Sequence, residues 1–227
     1  MKKNNVGEFY DEMSADYSAL IQRCVPRYHE MLQMLTDYIP DDLKPKKILE
    51  LGCGSGLLSQ RIVKKFPTAE IHLLDLSGDI LEQCRIHLNE PENIKFIQAD
   101  FKDLKFEAGS YDLIYSSIAI HHIIDAEKKK LFANVYEWLK PKGVFIYADQ
   151  TRGATDEIYN KHIAHWKKAS VELGANNDEW NEWMLHQNSH DYHVDFETQL
   201  LYLKEAGFPL RDIIWRNLLW TIYFVQK

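Results

Sequence analysis

ILELGCGSG, residues 48–56, runs an apolar strand straight into three alternating glycines and then toward a helix. Glycine permits the tight turn and lets a ligand approach the backbone, while the first N–H groups of the following helix are free to bind a polar group. A nucleotide or nucleoside cofactor is implied. No Gly-Lys-Ser/Thr follows, which argues against a Walker loop and nucleotide hydrolysis. The third glycine also comes too early for the dinucleotide fingerprint G-x-G-x-x-G.

Working outward, short apolar runs alternate with helical stretches. KKILEL (46–51), AEIHLLDL (69–76), IKFI (94–97), YDLIYSS (111–117) and GVFIYAD (143–149) read as strands. Ser55 to Phe66, Ser77 to Leu88 and Glu127 to Leu139 read as the helices between them, with LKPKG (139–143) as a turn. This alternation predicts a mostly parallel sheet covered by helices on both faces, an α/β fold. Phe196 to Ala206 is a further helix closed by Gly207, and LRDIIWRN and LLWTIYFVQ read as a terminal hairpin.

Two additions flank this core. Phe9, Met13, Tyr17, Leu20 and Ile21, then Tyr28, Met31, Leu32 and Leu35, repeat at helical spacing around a break at Pro26, giving an N-terminal helical cap over 1–44. From Thr151 the chain turns polar and helical with Trp166, Trp180 and Trp183, giving a lid insertion over 151–194. Its aromatics can wall an acceptor pocket or make a homodimer contact. The whole of 1–227 is expected to form one domain.

Composition narrows the function. A formal net charge of -7 argues against a general nucleic-acid surface. Cys24, Cys53 and Cys84 form no C-x-x-C pair, as expected of a reducing cytosol. The start MKKNNVGEFYDEM lacks an apolar leader, and no later run reaches the roughly 18 apolar residues that span a bilayer, so a cytoplasmic protein without membrane partners is expected.

Several side chains are placed at the carboxyl ends of the predicted strands, where open α/β sheets bind ligands. Glu50 can accept a hydrogen bond from an ammonium group, or pair within the loop. Asp75 can accept from both hydroxyls of a ribose, and Asp100 can contact an adenine amino group while Phe101 covers the ring. His121 or His122 suits proton transfer, or packs structurally; Asp149 can orient a histidine or the acceptor. Tyr10 and Tyr17 either close the pocket or pack in the core. His186, His190 and His193, with Asp191 and Asp195, match no standard zinc spacing and read as surface or lid histidines, so no metal is expected.

ILELGCGSGLLS, HLLDLS, IQADFKDL, YDLIYSSIAIHHI and LKPKGVFIYAD, in this order and spacing, resemble the successive motifs of the class I S-adenosylmethionine-dependent methyltransferases over residues 46–150. The resemblance implies a Rossmann-like seven-stranded sheet with an antiparallel last strand, S-adenosyl-L-methionine as cofactor and methyl transfer to a small molecule. LIQRCVPRY (20–28) and ETQLLYLKEAGF (197–208) further resemble the carboxy-S-adenosylmethionine synthase branch and its small-molecule methyltransferase neighbours. That branch implies cofactor contacts from Tyr28, Gly52, Cys53, Gly54, Asp75, Leu76, Asp100, Phe101 and the position of Ser117. The arginine that holds the transferred carboxylate in the synthase falls near Met184, and GCGSG replaces its GCSLG. A carboxylated cofactor would lack its bidentate partner, so an ordinary methyl donor is expected. A carboxymethyl-forming synthase, or a non-catalytic module with its acceptor mouth sealed by Trp166, Trp180 or Trp183, are the alternatives.

Overall fold

The computed structural model describes Val6 and residues 17–227. Phe9, Tyr10 and Met13 lie outside the described residues. Seven strands form one sheet: β1 (Lys47–Leu51), β2 (Glu70–Asp75), β3 (Ile94–Gln98), β4 (Tyr111–Ser117), β5 (Leu139–Gln150), β6 (Leu210–Asn217) and β7 (Trp220–Gln226). Their order is β3-β2-β1-β4-β5-β7-β6, with β7 antiparallel to both of its neighbours. The expected seven-stranded, mostly parallel sheet with an antiparallel last strand is what the chain forms.

The period of two along each strand sorts side chains to opposite faces. Ile48, Leu113, Tyr115, Val144 and Ile146 enter one core. Leu49, Leu51, Ile114, Phe145 and Tyr147 enter the other. Both faces are therefore buried, which explains why β1 and β5 read as nearly continuous apolar runs. The first face is covered by α1 (Tyr17–Cys24), α2 (Tyr28–Asp37), α3 (Leu57–Lys65) and α4 (Gly78–Leu88). The second is covered by α5 (Asp125–Trp138) and α8 (Phe196–Glu205). The predicted break at Pro26 falls between α1 and α2, where Arg27 takes a left-handed conformation.

One boundary differs from expectation. LKPKG is not a turn before β5 but its first segment: Leu139 already pairs with Tyr111, and the register then shifts so that Leu113 meets Val144. The extra residues form a bulge in which Lys142 has φ 65° and donates its N–H to Lys227 O. Pro141 and Gly143 serve this irregular strand rather than a separate loop.

The insertion forms α6 (Asp156–Glu172) and α7 (Asn177–His190). Trp166 is buried edge-on against Trp180 and Trp220, and its indole N–H donates to Cys24 O at 2.5 Å. Arg23 on α1 also pairs with Glu179 at the start of α7. The insertion is thus anchored to the first cap helix by packing and by polar contacts. Trp166, Trp180 and Trp183 are core residues and none lines the cavity described next, which corrects the expectation that they wall or seal an acceptor pocket.

Candidate functional site

β1 has β2 on one side and β4 on the other, so the direction of chain progression reverses between β1 and β4. Crevices in open α/β sheets form at such a reversal, beyond the carboxyl ends of the strands. A cavity of about 290 Å³ lies there.

The glycine loop forms its floor. Gly52 has φ 72°, and an added Cβ would lie 2.4 Å from Ala119 Cβ. Only glycine fits, because both the backbone conformation and the close approach of the β4 end exclude a side chain. The N–H groups of Gly52 and Cys53 both donate to Leu74 O, tying the loop to the end of β2. Asp75 completes this tie: its Oδ2 accepts from Gly54 N at 2.8 Å and its Oδ1 from Ser77 N at 3.0 Å. Asp75 therefore shapes the loop as well as facing the cavity.

All eleven residues expected to meet the cofactor line this cavity. Tyr17 and Tyr28 come from the cap helices, Glu50, Gly52, Cys53 and Gly54 from the β1 end and its loop, and Asp75 and Leu76 from the β2 end. Asp100, Phe101 and Ser117 complete the set. Asp100 also accepts from Lys102 N and pairs with the Lys102 ammonium at 3.2 Å.

Glu50 combines the two readings given for it. It faces the cavity, yet its Oε2 accepts from Ser59 Oγ at 2.5 Å and from Tyr115 OH at 2.6 Å. Burial pushes its carboxyl up to about 8, against the pull of those two hydrogen bonds.

Ser117 Oγ is buried without a hydrogen-bond partner among the described residues. A hydroxyl in that state beside a ligand cavity is what a polar ligand would satisfy. With the glycine floor, the Asp75 carboxylate and the apolar Phe101, it makes a donor and acceptor set that fits S-adenosyl-L-methionine.

Beyond Ser117 the chain enters a strained turn. Ile118, a β-branched residue, has φ 55° and donates its N–H to Ala148 O, and this turn sets Ala119 against Gly52. A 3₁₀ turn, Ile120–His122, follows. His122 lines the cavity, whereas His121 and Asp149 do not. They lie behind it: His121 Nδ1 meets Asp149 Oδ1 at 2.5 Å, and burial pushes the His121 imidazole down. Asp149 is thus placed to orient a histidine rather than to touch an acceptor.

Of the two readings of His186, His190 and His193, surface or lid, the surface one fails for His186 and His193. His186 is buried and its imidazole is pushed down to about 3, chiefly by that burial. The side chains of His193 and Asp191 are 5% and 1% exposed; His193 faces His121, and Asp191 faces both His121 and His122. Asp195 stands apart, capping α8 through Thr198. Sequence reasoning did not select Glu127, Ile118 or Tyr192, which also line the cavity. No local pattern marks a left-handed isoleucine or tells that residue 192 folds back onto the β4 end.

Comparison with known proteins agrees with this geometry. Residues 48–143 match the family model described as a methyltransferase domain. Over 133 residues the chain is 35% identical to malonyl-[acyl-carrier protein] O-methyltransferase 2 of Ilyobacter polytropus, covering 59% of this chain and 48% of that protein. It is 28% identical to the carboxy-S-adenosyl-L-methionine synthase of Vibrio cholerae over 155 residues, covering 65% of this chain and 62% of the synthase. The chain spans about half the length of the methyltransferase relatives it matches. The solved structure of Haemonchus contortus phosphoethanolamine N-methyltransferase 2 with S-adenosyl-L-methionine superposes with a TM-score of 0.68. That match covers 96% of this chain and 57% of the other at 17% identity, and so bears on the fold alone. Residues 48–143 are thus similar to a methyltransferase domain core, and the O-methyltransferase relatives match at higher identity than the synthase.

Proposed function

We propose that this chain, built on that core, is an S-adenosylmethionine-dependent methyltransferase that methylates a small-molecule acceptor by direct in-line transfer. The observation that carries the reading is the cavity itself. It sets the glycine loop, Asp75, Asp100 and the unsatisfied Ser117 hydroxyl on one side, and His122 on another, within about 290 Å³.

The bound cofactor supplies a methyl group on a sulfonium, an electrophile that needs no covalent protein intermediate. Asp75 and Asp100 hold the nucleoside, Phe101 covers its base, and Glu50 with Ser117 receives the amino-acid end. Tyr17 and Tyr28 close the crevice from the cap. His122 takes a proton from an acceptor hydroxyl or ammonium where one must be lost, and His121 acts through it as a positioning residue held by Asp149. The cap and lid choose the acceptor by the space they leave.

The relation to the synthase branch is the second reading. Met184, where the resemblance places the carboxylate-holding arginine, is partly buried against an apolar core. That surrounding supports a methyl donor rather than a carboxylated one. We place the protein in the cytoplasm; no described helix is long and apolar enough to cross a membrane, and the three cysteines are buried thiols. The test is mass spectrometry of a metabolite extract incubated with the protein and S-adenosylmethionine. The gain of one methyl on an acceptor supports the proposal, and a carboxylated cofactor product overturns it.

A further inference from the structure

The histidines next to the cofactor cavity converge on one carboxylate. Asp191, between α7 and α8, has Oδ1 at 3.1 Å from His122 Nδ1 and 3.7 Å from His186 Nε2. Its Oδ2 lies 3.7 Å from His121 Nε2 and 3.5 Å from His193 Nε2. Asp191 Oδ1 and His193 Nε2 are buried with no hydrogen bond of acceptable geometry among the described residues. These pairs stand 3.1–3.7 Å apart, most of them longer than an ordinary hydrogen bond. Around a tetrahedral ion with bonds of 2.0–2.1 Å, ligand atoms stand about 3.3 Å apart; the Asp191–histidine separations are 3.1–3.7 Å, and one donor atom from each of His121, His122 and Asp191 lies within 4.8 Å of the others.

Three further observations point the same way. His121 presents Nε2 to the cluster while its Nδ1 meets Asp149 at 2.5 Å, the carboxylate–histidine arrangement that orients metal-binding imidazoles. The side chains of Asp149 and Asp191 are both buried; among the described residues the groups within ion-pair distance of each are histidines, with the buried Lys128 ammonium acting on both from beyond that distance. A buried carboxylate needs a compensating cation. The segment is also pinned before any ligand arrives: Tyr192 N donates to His121 O at 2.7 Å, Lys128 donates to Tyr192 O, and Arg152 N donates to Val194 O.

We propose that His121, His122 and Asp191 form a binding site for one divalent transition-metal ion on the acceptor side of the cofactor cavity, with His186 and His193 as adjacent donors. Imidazole and carboxylate without thiolate suit zinc, cobalt(II) or iron(II), and not calcium or magnesium, which take oxygen donors. His122 and Tyr192 belong at once to this cluster's surroundings and to the cavity wall. An ion here faces the acceptor, selects one with an oxygen or sulfur able to ligate it and, with the His122 imidazole taken up as a ligand, lowers the acceptor's pKa in place of His122 as the proton acceptor. That acceptor role rests on the methyltransferase reading; the metal site does not.

The test uses the untagged 1–227 chain stripped with a chelator, then titrated with cobalt(II) and with zinc(II). Cobalt(II) is expected to bind at about one equivalent with visible d–d absorption, to be displaced by zinc, and each ion is expected to raise the melting temperature. Asp191→Asn should weaken cobalt binding at least about 100-fold, and Asp149→Asn about 10- to 100-fold, as loss of an outer-shell carboxylate does. Absence of uptake and of any melting shift in the unmodified protein overturns the site even if a variant fails to fold. So does an Asp191→Asn protein that binds cobalt as tightly as the unmodified one. Calorimetry with S-adenosylhomocysteine on the same samples reports on the cofactor reading separately, so failure of one is told apart from failure of the other.

Discussion

Glu50 offers a quantitative handle on the cavity. Its carboxyl is buried and pushed up to about 8, chiefly by desolvation. In the unfolded chain the group titrates near 4.3. Between these values the folded protein holds a proton that the unfolded chain has released, so folding stability falls as pH rises through the window. The contribution is fully present below the unfolded value and lost as pH passes about 8. At about 1.4 kcal/mol per pH unit, levelling off near the folded value, the loss between pH 6 and pH 8 comes to roughly 2 kcal/mol. Glu50→Gln removes it. Because Oε2 accepts both hydrogen bonds, from Ser59 and Tyr115, a glutamine oxygen can keep them while its amide nitrogen takes the place of the protonated oxygen. Urea unfolding of the ligand-free protein at pH 6, 7 and 8, extrapolated to water, measures the difference. The variant should gain roughly 2 kcal/mol relative to the unmodified protein across that range, since other titrating groups cancel in the comparison. Two parallel stability profiles would refute the buried, proton-holding Glu50.

Three other perturbations test the site and its frame. Gly52→Ala drives a Cβ to 2.4 Å from Ala119 Cβ at a positive φ, so S-adenosylhomocysteine binding should be lost and stability should fall by about 2–4 kcal/mol, read by calorimetry and urea unfolding. Asp75→Ala removes the acceptor of Gly54 N and Ser77 N together with the ribose contact, and should raise the cofactor Kd about 100-fold; unchanged calorimetry would remove Asp75 from the binding set. Trp166→Ala opens a cavity between α6, α1 and β7 and should cost about 3–5 kcal/mol in urea unfolding, whereas a cost under about 1 kcal/mol would mean that the insertion is not anchored there.

Much of this architecture is legible along the chain because it is written in local periods. ILEL is buried on both faces and runs into alternating glycines, and YDLIYSS spans β4 end to end. Asp75 and Asp100 follow strands whose carboxyl ends must meet in a parallel sheet. LKPKG misled because proline and glycine mark a turn and a bulge alike; only the pairing of Leu139 with Tyr111 separates them. Tryptophans signal burial without naming what they are buried against, and Trp166 faces α1 and β7 rather than a substrate. The histidine cluster is the largest gap. His121 and Asp191 are seventy positions apart, and their meeting depends on how α7 and its following segment dock on the β4 end, a tertiary fact with no local spacing.

The most direct test of the central claim supplies S-adenosylmethionine bearing a deuterated methyl group to the protein with a metabolite extract, and follows the label by mass spectrometry. The expected result is the intact deuterated methyl on one small acceptor, with S-adenosylhomocysteine formed in equal amount and both absent from an Asp75→Ala control. A carboxylated cofactor, or S-adenosylhomocysteine no more abundant than in that control, would contradict it.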